Sequence, residues 1–286
     1  MADMPATDAI RRAAARMRLD IVEMIAEAGS GHPGGSLSAA DIVATLYFGV
    51  MNHDGNRPDM PERDRFVLSK GHAAPVLYAA LAEAGYFGRE HLTTLRKLGS
   101  MLQGHPDSKK MPGVEVSTGS LGQGLSIANG IALGLRMDGG SQRVFCLMGD
   151  GELQEGQVWE AAMFAAHENL SSLTAIVDSN GLQIDGACNE VMCLGEIGRK
   201  FAAFGWQVIE VDGHDPDAMI AAFGAAHAAS EANNAPSVLV ASTVKGKGVS
   251  FMENNAGWHG KAPSADETEQ AGNELRAVIA KETADV

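Results

Sequence analysis

The sequence predicts an α/β fold: three layers, α/β/α, built on a mostly parallel sheet. Three observations carry this. Five short apolar runs, at 65–69, 142–148, 173–177, 206–211 and 237–242, alternate with longer segments of helical period. The stretch 142–182 holds a complete strand–helix–strand unit, and its helix has the length a parallel crossover needs. The two strands of that unit run directly into polar clusters, Gly149-Asp150-Gly151 and Asp178-Ser179-Asn180. Open α/β sheets bind their ligands at such carboxyl ends. A single alternating series of strands argues for one domain over 1–286, with a helical N-terminal segment and a polar C-terminal tail.

In chain order, the first helix covers 8–28, where Ile10, Met17, Ile21, Met24 and Ile25 form an apolar face and Gly29-Ser30-Gly31 ends it. His32-Pro33-Gly34-Gly35 is expected to be a tight loop, with Ser36 capping a helix over 36–50. A polar loop at 51–62 leads to strand 66–69, then Lys70-Gly71-His72 and a helix to residue 84. A short helix is expected at 89–99, followed by an irregular stretch around Gln103-Gly104-His105-Pro106. The glycine-bearing turn 117–124 opens a helix to residue 137, in which Ala132 and Gly134 are small enough to allow close packing against a partner. That turn lacks the GK[ST] of a P-loop, and no GxGxxG stands in the right strand context, so nicotinamide binding is unsupported. Beyond the central unit, 181–194 is expected as loop and 197–204 as helix. Asp215 is placed to cap an alanine-rich helix at 217–229. Ser264 and Glu267 make an S-x-x-E capping box for a last helix at 264–279.

Composition narrows the class. A formal net charge of -14 disfavours nucleic acid and anionic membrane as partners. A phosphate-bearing ligand remains compatible, because a bound cation and oriented N–H groups set the local field. No apolar run approaches the length of a membrane span. The start, MADMPATDAI, has no apolar signal core, so a cytoplasmic location is expected. Three cysteines make no disulfide framework, and Cys146 falls in a buried strand.

The chemistry suggested by the two polar clusters is a hard divalent cation on oxygen ligands. Asp150 offers a carboxylate, Asn180 an amide oxygen, and the chain just after Asn180 a backbone carbonyl; Mg²⁺ would keep its other positions for phosphate oxygens and water. Gly149 and Gly151 let a large anion approach the backbone. On the residues alone, an Asp-capped turn and an ordinary Asn-Gly turn fit equally well.

GDG, a crossover helix with QEG and WEAA, and an Asn beside the second strand together resemble the thiamine diphosphate motif. GHPGGSLSAADI, DRFVLSKGHAAPVLYAAL, QGHPD, STGSLGQGLSIANGIALGLR and NNAGWHG, in that order, narrow the resemblance to the diphosphate-binding N-terminal domain of the transketolase family, over 16–263. The resemblance implies thiamine diphosphate and Mg²⁺ as cofactors, with Asp150, Asn180 and Leu182 on the metal. It implies cofactor contacts from His72, Gly119, Ser120, Leu121, Gly149, Asp150, Gly151, Glu155, Asn180 and His259. His32, His72, His105 and His259 are then the catalytic histidines that orient sugar hydroxyls and manage protons. Glu155, and less closely Glu160, match acidic residues near the family's subunit interface. Lys70 stands where the family often has Asn, and either adds an anion contact or reaches solvent. Trp258 replaces a smaller neighbour, with a consequence for acceptor access. Lys245-Gly246-Lys247-Gly248 is either a phosphate contact or an exposed loop, and His214 either faces the cofactor or packs near a helix cap.

In the family, a second domain type supplies the glutamate that activates the aminopyrimidine. This chain would hold the cofactor's charged end without that base. It is therefore expected to be the N-terminal subunit of a split transketolase, with an obligate C-terminal subunit carrying the pyrimidine-binding domain and the glutamate, in an α₂β₂ assembly. The expected reaction is transfer of a two-carbon ketol unit from a ketose phosphate to an aldose acceptor. The alternatives are deoxyxylulose phosphate synthesis, ketol transfer on an unusual branched or sulfonated sugar, and a non-catalytic scaffold or regulatory remnant.

Overall fold

A computed structural model describes residues 7–284; the first six residues and the last two of the tail lie outside the described residues. The strands are β1 (Arg65–Leu68), β2 (Val144–Gly149), β3 (Leu173–Ser179), β4 (Leu182–Gln183), β5 (Gly186–Ala187), β6 (Gln207–Asp212) and β7 (Ser237–Ser242). Five of them form one parallel sheet in the order β1-β2-β3-β7-β6. All five expected strands are present.

The layers follow from the period of two along each strand. Phe145 and Leu147 of β2 and Ile176 of β3 enter one core; Val144, Cys146 and Met148 with Ala175 and Val177 enter the other. Every β2 residue up to Met148 is buried, as a strand covered on both faces requires. The first core lies under α1 (Thr7–Ala28), α2 (Pro33–Ser38), α3 (Ala40–Thr45) and α4 (Ala74–Glu83). The second lies under α5 (Gly124–Met137) and α6 (Gly156–His167). After the β4–β5 hairpin come α7 (Cys188–Met192), α8 (Ile197–Ala203), α9 (Pro216–Asn233) and α10 (Ala265–Ala284), the last packed along α1. Among the described residues no helix is long and apolar enough to cross a membrane.

Register sets the ligand-facing edge. Gly149 of β2 lies level with Asp178 of β3, and Asp178 with Ala241 of β7, so the polar residues that follow these strands emerge side by side.

Several local expectations are corrected. The helix expected from Ser36 begins at Pro33, whose missing N–H costs nothing in a first turn, and the path to residue 50 breaks into α2, α3 and a π turn at Leu46–Val50. Ser36 caps nothing; its Oγ donates to the His32 carbonyl at 2.7 Å. The segment expected as a helix at 89–99 holds a 3₁₀ turn, Arg89–Thr94, and Arg96 then takes the left-handed conformation at φ 60. Residues 181–194, expected as loop, contain the β4–β5 hairpin and α7. Ala132 is not a partner contact, since it is fully buried in the second core, whereas Gly134 has open space above it. The two caps form as expected. Asp215 accepts from Asp217 N at 3.0 Å, and the Ser264–Glu267 box closes in both directions at 3.3 and 2.7 Å.

One buried network ties three elements together. Arg18 of α1 donates to Asp41 of α3 at 3.0 Å, and His214 Nδ1 meets the other Asp41 oxygen at 2.6 Å. His214 Nε2 accepts from Val244 N at 2.8 Å, so this histidine packs structurally and does not face a ligand. Burial alone would raise the Asp41 carboxyl; Arg18 and His214 hold it at about 2. Asp41→Ala leaves the Arg18 guanidinium buried and unpaired, and is expected to destabilise the fold by about 3–5 kcal/mol. Urea unfolding of the variant measures this, and a loss below about 1 kcal/mol, typical of an exposed pair, would show that the network is solvated.

Candidate functional site

A cavity of about 350 Å³ opens where β1, β2, β3 and β7 end. Its lining comes from the start of α2 (His32, Gly35), the end of β1 (Lys70, His72), the turn before α5 (Gly119, Leu121), the end of β2 (Gly149 to Glu152, Glu155), the end of β3 (Asn180, Leu182), and Lys245 and His259 beyond β7.

Asp150 is 5% exposed, and its carboxylate accepts from Gly151 N at 2.8 Å and Gly181 N at 2.6 Å. Burial, and then the neighbouring Asp178 charge, push its pKa above the usual carboxylate range. A cation at this carboxylate would relieve both effects. Asn180 accepts through Oδ1 from Leu182 N at 3.1 Å and donates through Nδ2 to Asp178 at 3.3 Å. The Leu182 carbonyl accepts from Lys245 Nζ at 3.0 Å. Among the described residues no group of three or more His, Cys, Asp or Glu gathers to hold a metal. The donor set at this edge is instead one carboxylate, one amide and backbone carbonyls, all oxygen, which fits a hard cation such as Mg²⁺.

Three of the four predicted histidines converge. His32, His72 and His259 have ring centroids 5.2–5.5 Å apart. Burial lowers each imidazole first: His32 to about 4, with Arg96 adding; His72 to about 2, with Lys70 adding; and His259 to about 3, with Lys245 adding. All three rings are therefore neutral at pH 7, each with one donor and one acceptor nitrogen. Among the described residues His32 Nδ1 is buried without a hydrogen-bond partner, which leaves it for a polar ligand. His105 stands apart at the rim, exposed, with its ring beneath Gly119; a Cβ on that glycine, at φ +152, would sit 3.0 Å from it. Of the remaining predicted residues, Glu155 is exposed but lines the cavity, while Ser120 and Glu160 are exposed and do not.

Lys70 does not reach solvent; it lines the cavity from behind. It is 2% exposed, pairs with Asp178 and donates to the Gly35 carbonyl at 2.8 Å. Lys245 is likewise buried and not in an exposed loop. Gly246, at φ 78, turns the chain so tightly that a Cβ there would lie 2.3 Å from the Met252 carbonyl. Burial, then repulsion from Lys70, lowers the Lys245 ammonium to about 8, and its Nζ lies 3.0 Å from His259 Nδ1. Trp258 is buried in the first core, edge-on to Phe251 at 5.3 Å, and does not line the cavity.

Sequence reasoning missed Glu152 and the Asp178 cluster. Glu152 is 3% exposed and accepts from Ser69 Oγ, from Gly122 N at 2.9 Å and from Gly149 N at 3.1 Å. It thereby ties the turn before α5 to the end of β2. Nothing in the polar run GDGELQEGQ sets Glu152 apart from a solvated glutamate, so the sequence carried no signal for its burial.

Residues 9–278 match the family model described as transketolase, thiamine diphosphate binding domain. The chain is 47% identical over 238 residues to the 6-deoxy-6-sulfo-D-fructose transketolase subunit of Clostridium sp. (strain MSTE9), covering 83% of this chain and 86% of that one. It is 42% identical over 264 residues to an apulose-4-phosphate transketolase subunit of Phocaeicola vulgatus, covering 92% of each. The transketolase structure from Campylobacter jejuni superposes with a TM-score of 0.86 at 29% identity, covering 96% of this chain and 45% of that chain.

The histidine shifts carry a sign. An imidazole whose folded pKa lies below its unfolded value of about 6.5 gives stability that is fully present above pH 6.5 or so and is lost as pH falls toward the folded pKa. Stability is thus expected to fall between about pH 6.5 and 4 as the unfolded chain takes up protons that these rings refuse. His72→Asn removes one such ring and should flatten that slope by up to about 1.4 kcal/mol per pH unit. Chemical denaturation across this range provides the check; an unchanged slope would mean that His72 titrates normally.

Proposed function

This chain belongs to the transketolase family, and from that premise we propose that it is the diphosphate-binding half of a two-subunit transketolase acting on an unusual sugar, branched or sulfonated. The observation that carries the reading is coextension. The two relatives matched over nearly their whole lengths are each named as subunits, one for a sulfonated fructose and one for apulose phosphate. The expectation of an ordinary ketose phosphate donor gives way to the unusual-sugar alternative on this ground. The scaffold alternative has less support, because a buried oxygen donor set and a neutral histidine trio are costly to keep without a ligand.

Over 1–286 the chain acts as one domain in the cytoplasm. Asp150, Asn180 Oδ1 and the Leu182 carbonyl would hold Mg²⁺, and Gly149, Gly151, His72, His259, Gly119 and Leu121 would receive the cofactor, with Glu155 at the rim. When bound, thiamine diphosphate supplies the carbon nucleophile and electron sink for breaking and remaking a C–C bond. His32 and His72, neutral at pH 7, accept a proton from one sugar hydroxyl while donating to another, and His259, whose Nδ1 accepts from Lys245, donates through Nε2. His105 at the rim orients the sugar as it enters. The pyrimidine-binding domain and its activating glutamate come from a C-terminal subunit, in an α₂β₂ assembly.

The test is reconstitution with the complementary subunit, followed by a panel of ketose donors with Mg²⁺ and thiamine diphosphate. The chain alone is expected to show no ketol transfer, and the complex to prefer a sulfonated or branched ketose to fructose 6-phosphate. Turnover by the chain alone, or preference for the ordinary ketose phosphate, would overturn the proposal. In the complex, Asp150→Ala should abolish Mg²⁺-dependent cofactor binding by calorimetry, and unchanged affinity would remove Asp150 from the metal.

A further inference from the structure

The cluster behind the cavity floor has no part in the roles assigned so far. Asp178 is fully buried at the end of β3. Its Oδ2 accepts from Ser38 Oγ at 2.5 Å, from the Lys70 ammonium and from Asn180 Nδ2 at 3.3 Å; its Oδ1 accepts from Thr243 Oγ1. Four donors from α2, β1, the β3 end and the β7 end thus converge on one carboxylate. An ionised carboxylate only accepts hydrogen bonds. The Asn180 amide, which has one donating and one accepting end, is therefore held with its nitrogen inward, against Asp178 and 3.5 Å from Ser38 Oγ. Its oxygen is left on the side of Leu182 N and the cavity.

We infer that Asp178 is a positioning residue that fixes the orientation of the Asn180 amide, so that oxygen and not nitrogen is presented to the cation. This rests on the reading of Asn180 as a metal ligand. A flipped amide would aim two N–H donors at a cation and repel it, so the orientation decides whether the site binds at all. Lys70 compensates the Asp178 charge from behind, and Ser38 and Thr243 hold its oxygens, so Asp178 cannot turn away from Asn180.

The measurement is Mn²⁺ binding to the assembled complex with thiamine diphosphate, read by electron paramagnetic resonance. Parent binding is established first; a parent that takes up no Mn²⁺ overturns the metal reading itself. Asp178→Asn alone would keep an oxygen toward the Lys70 ammonium, and so toward Asn180. Lys70→Met/Asp178→Asn removes that demand, presents either an oxygen or a nitrogen to Asn180 and lets it flip, so Mn²⁺ affinity should fall about ten- to a hundredfold, the usual effect of losing an outer partner of a metal ligand. Adding Asn180→Asp should recover most of that loss, because a carboxylate has no wrong end. A defect of packing alone would not be rescued in this way. Unchanged affinity in Lys70→Met/Asp178→Asn, or failure of Asn180→Asp in that background to restore binding, would overturn the inference.

Discussion

The constraint on which the rest of this structure depends is the ion pair between Lys70 and Asp178, at 2% and 0% side-chain exposure. Two charges taken out of water recover their solvation only when every remaining donor and acceptor is matched. Here the matching is done by the Gly35 carbonyl on one side and by Ser38, Thr243 and Asn180 on the other. A pair of this kind is weak evidence for stability, since an apolar pair of equal volume often serves as well. Its effect is geometric. It draws the start of α2 and the ends of β1, β3 and β7 to one point, and that point is the back wall of the cavity.

The same pair shapes the chemistry in front of it. The chain carries a net charge of -14, yet the cavity is lined by two buried ammonium groups, Lys70 and Lys245. Burial lowers the three imidazoles first, and these ammonium groups keep them from charging. Net charge therefore says little about the site, where two ammonium groups lie among the carboxyl groups of Asp150, Glu152, Glu155 and Asp185. The ammonium groups keep the histidines as neutral hydrogen-bonding groups. The cation side is equally local: Asp150 is pushed toward protonation by burial and by Asp178, and only an added positive charge makes its ionised form comfortable.

Much of this was legible in the sequence, and the limits have physical reasons. The five strands were visible because buried parallel strands are continuous apolar runs, and their order along the chain alternated cleanly with helices. Asp150 and Asn180 were visible because polar clusters directly after such strands must lie at the ligand edge. Lys70 and Lys245 were not, because a lysine beside glycine is ordinarily solvated, and nothing local announces that its partner lies 108 residues away, as Asp178 does for Lys70. Ser36 misleads for a different reason. Its cap signal is sound in isolation, but Pro33 with its fixed φ starts the helix three residues earlier. The hairpin at β4–β5 escaped notice because two-residue strands leave no period to detect.

The division of labour with a second subunit follows from where the rigidity lies. Asp150 and Asn180, proposed for the cation, directly follow β2 and β3, whose backbones are locked by parallel pairing on both sides. Those positions need no partner to be set. The rim opposite them is different: Leu121, Glu155, Ile184 and Asp185 are all exposed and reach the cavity from turns, not from strands. Loops supported by the sheet on one side only can adjust to a docking surface without disturbing the anion end. A cofactor with a charged end and an aromatic end can then be shared between two chains. On the proposed two-subunit reading, this chain presents the charged end and the second chain brings the base on association.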